Sequence, residues 1–317
     1  MRIAIIGQHR FGQAVLEAFF ARGDEVAGVF VAPEKKGAPP DALRLSAQEH
    51  KIPVFQFDSL AGKEAENTLR GLRVDLGVMA YVLQFAPQHF VNIPQFGTIQ
   101  YHPSLLPKHR GPSSINWPIV CGETETGLTI FRPTDGLDEG PIILQEKIAI
   151  LPDDTLRDVY HKQLFPMGVN AMLAAADLVV AGKHQEIVQD EREASYEGWF
   201  RASEARINWN THVSMIYNLI RGSNPSPGAW TTLAGEKVSF LDARKVLFFV
   251  LPRGNLPVGT IVSIEADRFR VVARGGYIDV LSVRGEGGKV MSAVEYVYLN
   301  DLRPGSRFGD LDATCAI

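Results

Sequence analysis

The stretch Gln100-Tyr101-His102-Pro103-Ser104-Leu105-Leu106-Pro107-Lys108-His109-Arg110-Gly111 decides how this chain is read. It closes an apolar run that begins at Gly97, puts a histidine at the end of a presumed strand, and continues into a loop holding Pro103 and Pro107. Proline fixes φ and glycine permits tight turns, so such a loop holds a catalytic group still. Working outward toward the N-terminus, Arg2 to Ile6, Glu25 to Val31, Leu76 to Ala80 and Thr98 to Gln100 read as strands. Between them Phe11 to Arg22, Asp41 to His50 and Leu60 to Leu72 carry apolar residues at helical spacing. This alternation predicts an α/β fold with a doubly wound, mainly parallel sheet, whose ligands lie at the carboxyl ends of the strands. His102 stands at such an end.

Outward in the other direction, Gly127 to Phe131 and Ile142 to Ile150 read as further strands, and Thr155 to Ala181 as a long helix ending at Gly182. The first domain is therefore expected to span 1–182. Residues 183–204 are polar with little periodicity, as in a linker running over a surface. A second domain, 205–317, opens with a helix from Thr211 to Arg221. Short β-rich runs follow: Ala229 to Leu233, Lys237 to Phe240, Gly259 to Ile264, Phe269 to Ala273, Tyr277 to Val283 and Val294 to Tyr298. A small C-terminal β-barrel is the natural expectation for such runs.

Composition narrows the function classes. The 317 residues suffice for two domains, and the apolar fraction of 45% with 21% charged is that of a globular protein. No run approaches the ~18 consecutive apolar residues of a membrane span, and Met1 to Gly7 reads as entering the first strand, so no leader is expected. A cytoplasmic location without membrane partners is expected. Cys121 and Cys315 are the two cysteines, too few for a disulfide framework or thiolate metal site. A net charge of −4 gives no global attraction to nucleic acid, and Lys35-Lys36 is a thin basic patch.

Downstream of the histidine loop lies Thr134-Asp135-Gly136-Leu137-Asp138-Glu139-Gly140. Asp and Gly are common in solvated turns, so this segment alone carries little. With His102 it carries more, because a carboxylate beside an imidazole fixes its tautomer and favours its charged form, as general acid–base chemistry requires. Gly7-Gln8-His9-Arg10-Phe11-Gly12 has His9 where a dinucleotide fingerprint has its middle glycine, so it reads as a plain strand-to-helix turn. Lys108, His109 and Arg110 read as solvating the loop exit. No spacing supports a metal on His102, His109 and Asp138, and no G-x-S-x-G elbow supports a serine hydrolase. The run Ala80 to Pro87 suits either core or the lining of a slot for a flat ligand.

The His-Pro-Ser-Leu-Leu-Pro loop and the Asp-Gly-Leu-Asp turn resemble the family of enzymes that use 10-formyltetrahydrofolate as formyl donor. Within it, the hydrolase domain at the N-terminus of 10-formyltetrahydrofolate dehydrogenase is nearer in likeness than methionyl-tRNA formyltransferase. Ile115-Asn116-Trp117, Leu151 to Thr155, Ile207-Asn208-Trp209, Ile220-Arg221-Gly222 and Pro227 to Trp230 share that likeness. The resemblance implies a Rossmann-like, folate-binding N-terminal domain and a barrel-like C-terminal one. It implies His102 and Asp138 as the catalytic pair, and Gln84, Phe85 and Ala86 as a loop whose backbone meets the pterin. Leu105 and Asp135, together with Asp138, complete the implied folate contacts. Most of the family has Asn where this chain has Gln100; the dehydrogenase's hydrolase domain also lacks that Asn. The oxyanion donor is then His102, which can supply either that hydrogen bond or the proton for N10, or Gln100 through its carboxamide N–H.

The expected activity is removal of the formyl group from 10-formyltetrahydrofolate to water or a small amine, with no metal. The acceptor is left open among water, an amine, an amino sugar and an aminoacyl group. Methionyl-tRNA formylation is the alternative acceptor chemistry, and a non-catalytic folate- or NAD-binding module the alternative of another class. Nothing after residue 205 resembles an aldehyde-dehydrogenase domain.

Overall fold

Five consecutive buried residues in the first strand demand a sheet covered on both faces, and the architecture supplies one. The computed structural model describes residues 1–248 and 256–309. Its elements begin with β1 (Arg2–Gly7), α1 (His9–Ala21), β2 (Glu25–Phe30), α2 (Ala42–Glu49), β3 (Val54–Phe55), α3 (Lys63–Leu72), β4 (Leu76–Ala80), α4 (Gln88–Val91) and β5 (Thr98–His102). Next come α5 (Asn116–Cys121), β6 (Glu125–Phe131), β7 (Ile142–Ala149), α6 (Leu156–Asp158), a π-helical stretch (Val159–Leu164) and α7 (Phe165–Val180). The chain continues through α8 (Val213–Gly222), β8 (Ala229–Leu233), β9 (Glu236–Leu247), β10 (Ile261–Ile264), β11 (Phe269–Ala273), β12 (Gly276–Arg284), β13 (Val290–Ser292) and α9 (Ala293–Leu299). Cys315 lies outside the described residues.

These elements form two units. The first comprises Met1–Ser114, Thr126–Ile148 and Tyr160–Glu197; the second comprises Ile115–Glu125, Ala149–Val159 and Gly198–Ile317.

In the first unit seven strands are ordered β3-β2-β1-β4-β5-β6-β7. Strands β1 to β5 pair in parallel, and β6 runs antiparallel to β5. The order reverses between β1 and β4, which makes their carboxyl ends the topological switch point. Strand β7 alternates half-buried and exposed residues from Leu144 on, as an edge strand covered on one face does. Helix α1 turns Phe11, Val15, Leu16 and Phe19 inward; Phe11 stacks on Tyr101 of β5 at 4.2 Å. From Leu156 to Val180 the chain is helical, long and apolar enough to cross a bilayer by length and composition. Within the first unit its α7 portion buries Gly168, Ala171, Met172, Ala175, Ala176 and Val179, and α7 contacts α1 and β5 as a core helix.

The glycine-flanked turn after β1 behaves as a plain turn. A Cβ on Gly7 would collide with the Ala80 carbonyl of β4, so glycine allows the two strand ends to approach. The Asp41 carboxylate accepts the His9 N–H at 3.0 and 2.8 Å through its two oxygens. An internal carboxylate thus occupies the place at the start of α1 that a bound anion takes in other folds.

The expected linker 183–204 is different in the structure. Ile187 and Ile142 exchange backbone hydrogen bonds of 2.9 and 2.8 Å, Gln189 is buried, and Arg110 bridges Tyr196. Residues up to Glu197 therefore belong to the first unit. Most of them remain exposed, but Gln189 is buried and, with Glu191 and Tyr196, meets the buried Arg110 side chain.

The second unit holds an antiparallel sheet ordered β10-β11-β12-β9-β8, with β13 on β12. Its core gathers Trp209, Val213, Ile216, Phe240, Phe269, Val271 and Phe308. The run Val294 to Tyr298, expected as a strand for its valines and tyrosines, is helix α9. Ser292 caps it by accepting from Glu295 N–H at 3.1 Å, and Ala293 and Tyr296, three residues apart, face the core. The cap and the helical spacing outweigh β propensity.

Candidate active site

Strand β5 sends alternate side chains to opposite faces of the sheet. Tyr101 points to the α1 side, where its hydroxyl donates to Leu164 O at 3.3 Å. Gln100 and His102 consequently share the other face at the strand's carboxyl end. His102 is itself the last residue of the strand. Gln100 is half-buried, and its carboxamide makes no hydrogen bond among the described residues.

His102 Nε2 lies 2.8 Å from the His109 carbonyl oxygen. A carbonyl only accepts, so Nε2 carries the proton and donates. In the neutral imidazole the free lone pair is then on Nδ1, which stands 3.6 Å from Asp138 Oδ2. Both side chains are about 7% exposed. That separation exceeds a direct hydrogen bond, so proton exchange at His102 has one available nitrogen, and it faces a carboxylate.

Asp138 adopts φ +55°, a left-handed conformation costly for a residue with a Cβ. Three contacts hold it. Gly111 N–H donates to Asp138 Oδ2 at 2.9 Å, and Gly111 has φ +107° with the Glu197 carbonyl where a Cβ would be. Gln189 Nε2 donates to the carbonyls of Asp138 at 2.8 Å and Gly140 at 2.7 Å. Gln189 Oε1 in turn accepts from Arg110 Nε at 3.1 Å and Nη2 at 2.8 Å.

Arg110 is completely buried, contrary to the expectation that it solvates the loop exit. Its guanidinium forms a two-pronged pair with Glu191, Nη2 to Oε1 at 2.7 Å and Nη1 to Oε2 at 2.9 Å. It also bonds the Tyr196 hydroxyl and stacks on that ring. The Glu191 hydrogen bonds hold Arg110's pKa above its usual value and Glu191's below. His109, also expected at the loop exit, is buried with Nδ1 3.2 Å from Glu197 Oε2.

From the opposite side Thr129 of β6 pins the histidine loop. Its hydroxyl donates to Ser104 O at 2.7 Å and accepts from Leu106 N at 3.2 Å and Gln145 Nε2 at 2.9 Å. Leu105 is half-buried and packs where Gly127 of β6 leaves space.

The remaining expected residues lie on two linked loops. Gln84 Nε2 donates to Phe57 O at 2.8 Å and Asp58 O at 3.2 Å, so its side chain braces the loop. Phe85 is 60% exposed and Ala86 is buried. Asp135 Oδ1 accepts from Gln88 N–H at 2.8 Å, tying the acidic turn to the start of α4. Leu83, Phe85 and Leu137 leave large apolar side chains in solvent on these loops, an arrangement more typical of a binding lip than of an inert surface.

Sequence reading missed Gln189, Glu191, Tyr196, Thr129 and Gln145 as supports of the site. Only their polarity next to β elements signalled them, and that also fits an exposed loop.

Residues 1–175 match the family described as formyl transferase, and residues 200–299 match its C-terminal domain. Cytosolic 10-formyltetrahydrofolate dehydrogenase of Homo sapiens is 38% identical over 284 residues, which are 88% of this chain and 31% of that protein. The chain thus spans about a third of the length of such relatives. Methionyl-tRNA formyltransferase of Geotalea uraniireducens (strain Rf4) is 31% identical over 317 residues, 98% of this chain and 99% of that one. The N-formyltransferase of Helicobacter canadensis, solved with folinic acid and dTDP-3-aminofucose, shares the fold at TM-score 0.67 and 17% identity, covering 88% of this chain and 98% of that one.

Proposed function

We propose that this chain, which belongs to the formyl transferase family, takes the formyl group from 10-formyltetrahydrofolate and passes it to water or a small amine. The observation that carries the reading is the facing pair His102 Nδ1 and Asp138 Oδ2, 3.6 Å apart, beside the unengaged carboxamide of Gln100 on the same strand face.

A formamide nitrogen is a poor leaving group. Transfer therefore needs stabilisation of the developing oxyanion, a proton for the departing N10 and a base for the nucleophile. Gln100 supplies N–H donation to the oxyanion, and Asp138 accepts the nucleophile's proton. Protonated His102 delivers a proton from Nδ1, because Nε2–H is committed to the His109 carbonyl. Attack on the formyl carbon forms a C–O or C–N bond, the C–N10 bond breaks with its electron pair on N10, and N10 takes the proton. The products are tetrahydrofolate with formate, or with a formamide. The pterin lies against the backbone of Gln84 to Ala86, and Leu105, Phe85, Asp135 and Asp138 complete the folate contacts.

Methionyl-tRNA is a second acceptor reading, favoured by the match over 99% of that relative's length. The acidic net charge of −4 favours a small acceptor instead. Release of tetrahydrofolate from 10-formyltetrahydrofolate is to be followed alone, with small amines and amino sugars, and with methionyl-tRNA. Turnover with water or an amine supports the reading, whereas turnover with methionyl-tRNA alone replaces it with the second. No release under any of these conditions, by a folded protein, refutes donor use.

A further inference from the structure

We propose that the second unit carries an anion-binding cleft for a small carboxylate, with Arg221 as its charged wall and Arg244 at its rim. The cleft is open, measures about 280 Å³, and is lined by Asp153, Thr155 and residues of α8 and β9. It shares no residue with the His102 and Asp138 site and does not depend on the proposed formyl transfer.

Arg221 is 6% exposed. Its Nε donates to Asn218 Oδ1 at 3.0 Å and Nη1 to the Asp154 carbonyl at 3.1 Å. Among the described residues no carboxylate pairs with it and Nη2 has no hydrogen-bond partner. Burial lowers its pKa, although the nearby Asp154 and Asp153 carboxylates act in the opposite direction. A guanidinium so placed gains most from a planar oxyanion reached through the cleft. The neighbouring Asp153 carboxylate is turned to Tyr217, whose hydroxyl donates to Oδ1 at 2.7 Å. Arg244 lines the cleft and is exposed, and Lys245 sits over the Tyr217 ring at 5.4 Å.

The rest of the lining selects among oxyanions. Asp153 and Asp242 border the same space, so a dianionic phosphate monoester meets more repulsion than a monoanion. Ile220, Leu241 and Ala243 give an apolar wall for a short carbon chain. The volume lies at the lower end of small-molecule sites, which suits a short organic acid.

The test is thermal unfolding and calorimetry of the full chain with sodium acetate, butyrate, inorganic phosphate and sodium chloride at matched ionic strength. A ligand that binds only the folded state raises Tm saturably. Butyrate and acetate should do so, phosphate less, and chloride not at all. Arg221→Gln should abolish the effect and Arg244→Glu, at an exposed position, should weaken it about fivefold or more, while Asp242→Asn tightens it. His102→Ala should leave it unchanged. If Arg221→Gln fails to fold, the Arg244 and Asp242 variants decide. A carboxylate response equal in wild type and Arg244→Glu, a response lost in His102→Ala, stronger binding of phosphate, or no saturable response overturns the proposal.

Discussion

Replacing Gln189 by Met keeps the side chain's bulk and removes its hydrogen bonds. The Asp138 and Gly140 carbonyls then lose donors at 2.8 and 2.7 Å, and Arg110 Nε loses its acceptor at 3.1 Å. Arg110 keeps its two-pronged contact with Glu191. Three buried groups without partners, at roughly 1 to 2 kcal/mol each, predict a loss of about 3 to 6 kcal/mol of stability. The loss in turnover follows separately from Asp138. Its left-handed φ of +55° is opposed by roughly 1 to 2 kcal/mol, so freeing its carbonyl lets it relax and moves the carboxylate away from His102. A displacement near 1 Å costs on the order of 100-fold in rate. Denaturant unfolding gives the first quantity, and single-turnover release of tetrahydrofolate at saturating folate gives the second. The same replacement in an Asp138→Asn background separates positioning from mere stability: the stability loss persists, while the further loss of turnover becomes small. Wild-type turnover in Gln189→Met, or an equal turnover loss in both backgrounds, refutes Gln189 as the residue that positions Asp138.

Further outcomes are expected. Asp138→Asn, which keeps the side chain's shape, and His102→Ala should each reduce turnover at saturating folate by ~100-fold or more, a loss larger than any change in folate affinity, and the double variant should be little worse than either alone, because residues acting as a unit are not additive. Single-turnover rates with calorimetric folate affinities check this. Gln100→Asn should keep substantial activity and Gln100→Ala should not, judged by kcat; equal losses would assign the position to packing. Thr129→Val removes a hydroxyl engaged with Ser104, Leu106 and Gln145, and should cost about 2 to 4 kcal/mol in denaturant unfolding. Glu34 is held down to about 2, first by the Gln56 amide and also by Asp41 N–H and Arg44, from its usual 4.5. A depressed carboxyl stabilises the folded state above its unfolded pKa, so this contribution is full above about pH 4.5 and disappears as pH falls toward 2. Solvent screening keeps it near ~1 kcal/mol. Glu34→Gln should flatten that part of the pH–stability curve, measured by unfolding between pH 5 and the acid limit.

The parallel sheet was legible in the chain because buried strands such as β1 and β4 are uninterrupted apolar runs, and because α1 and α3 repeat apolar residues at helical spacing. Those are local signals set by one neighbouring surface. Strand β3, with two residues, was too short to carry a period. Helix α9 was misread because Val294, Tyr296, Val297 and Tyr298 favour strands when counted singly; its cap at Ser292 and its inward-facing Ala293 and Tyr296 become decisive once the helix packs on the sheet.

By itself the sequence determined the strand that ends in His102, the stiff loop after it and the acidic turn containing Asp138, since each depends on residues adjacent in the chain. Tertiary structure alone decided which imidazole nitrogen faces Asp138, because the His109 carbonyl claims Nε2 only after the loop folds back on the strand. It also turned an apparent linker into the brace of the site. Gln189 reaches Asp138 across 51 positions and Arg110 across 79, and a polar residue looks the same in a sequence whether it meets water or a buried carbonyl. Distant partners carry no period along the chain. Burial, which strips away competing water, gives their hydrogen bonds structural weight.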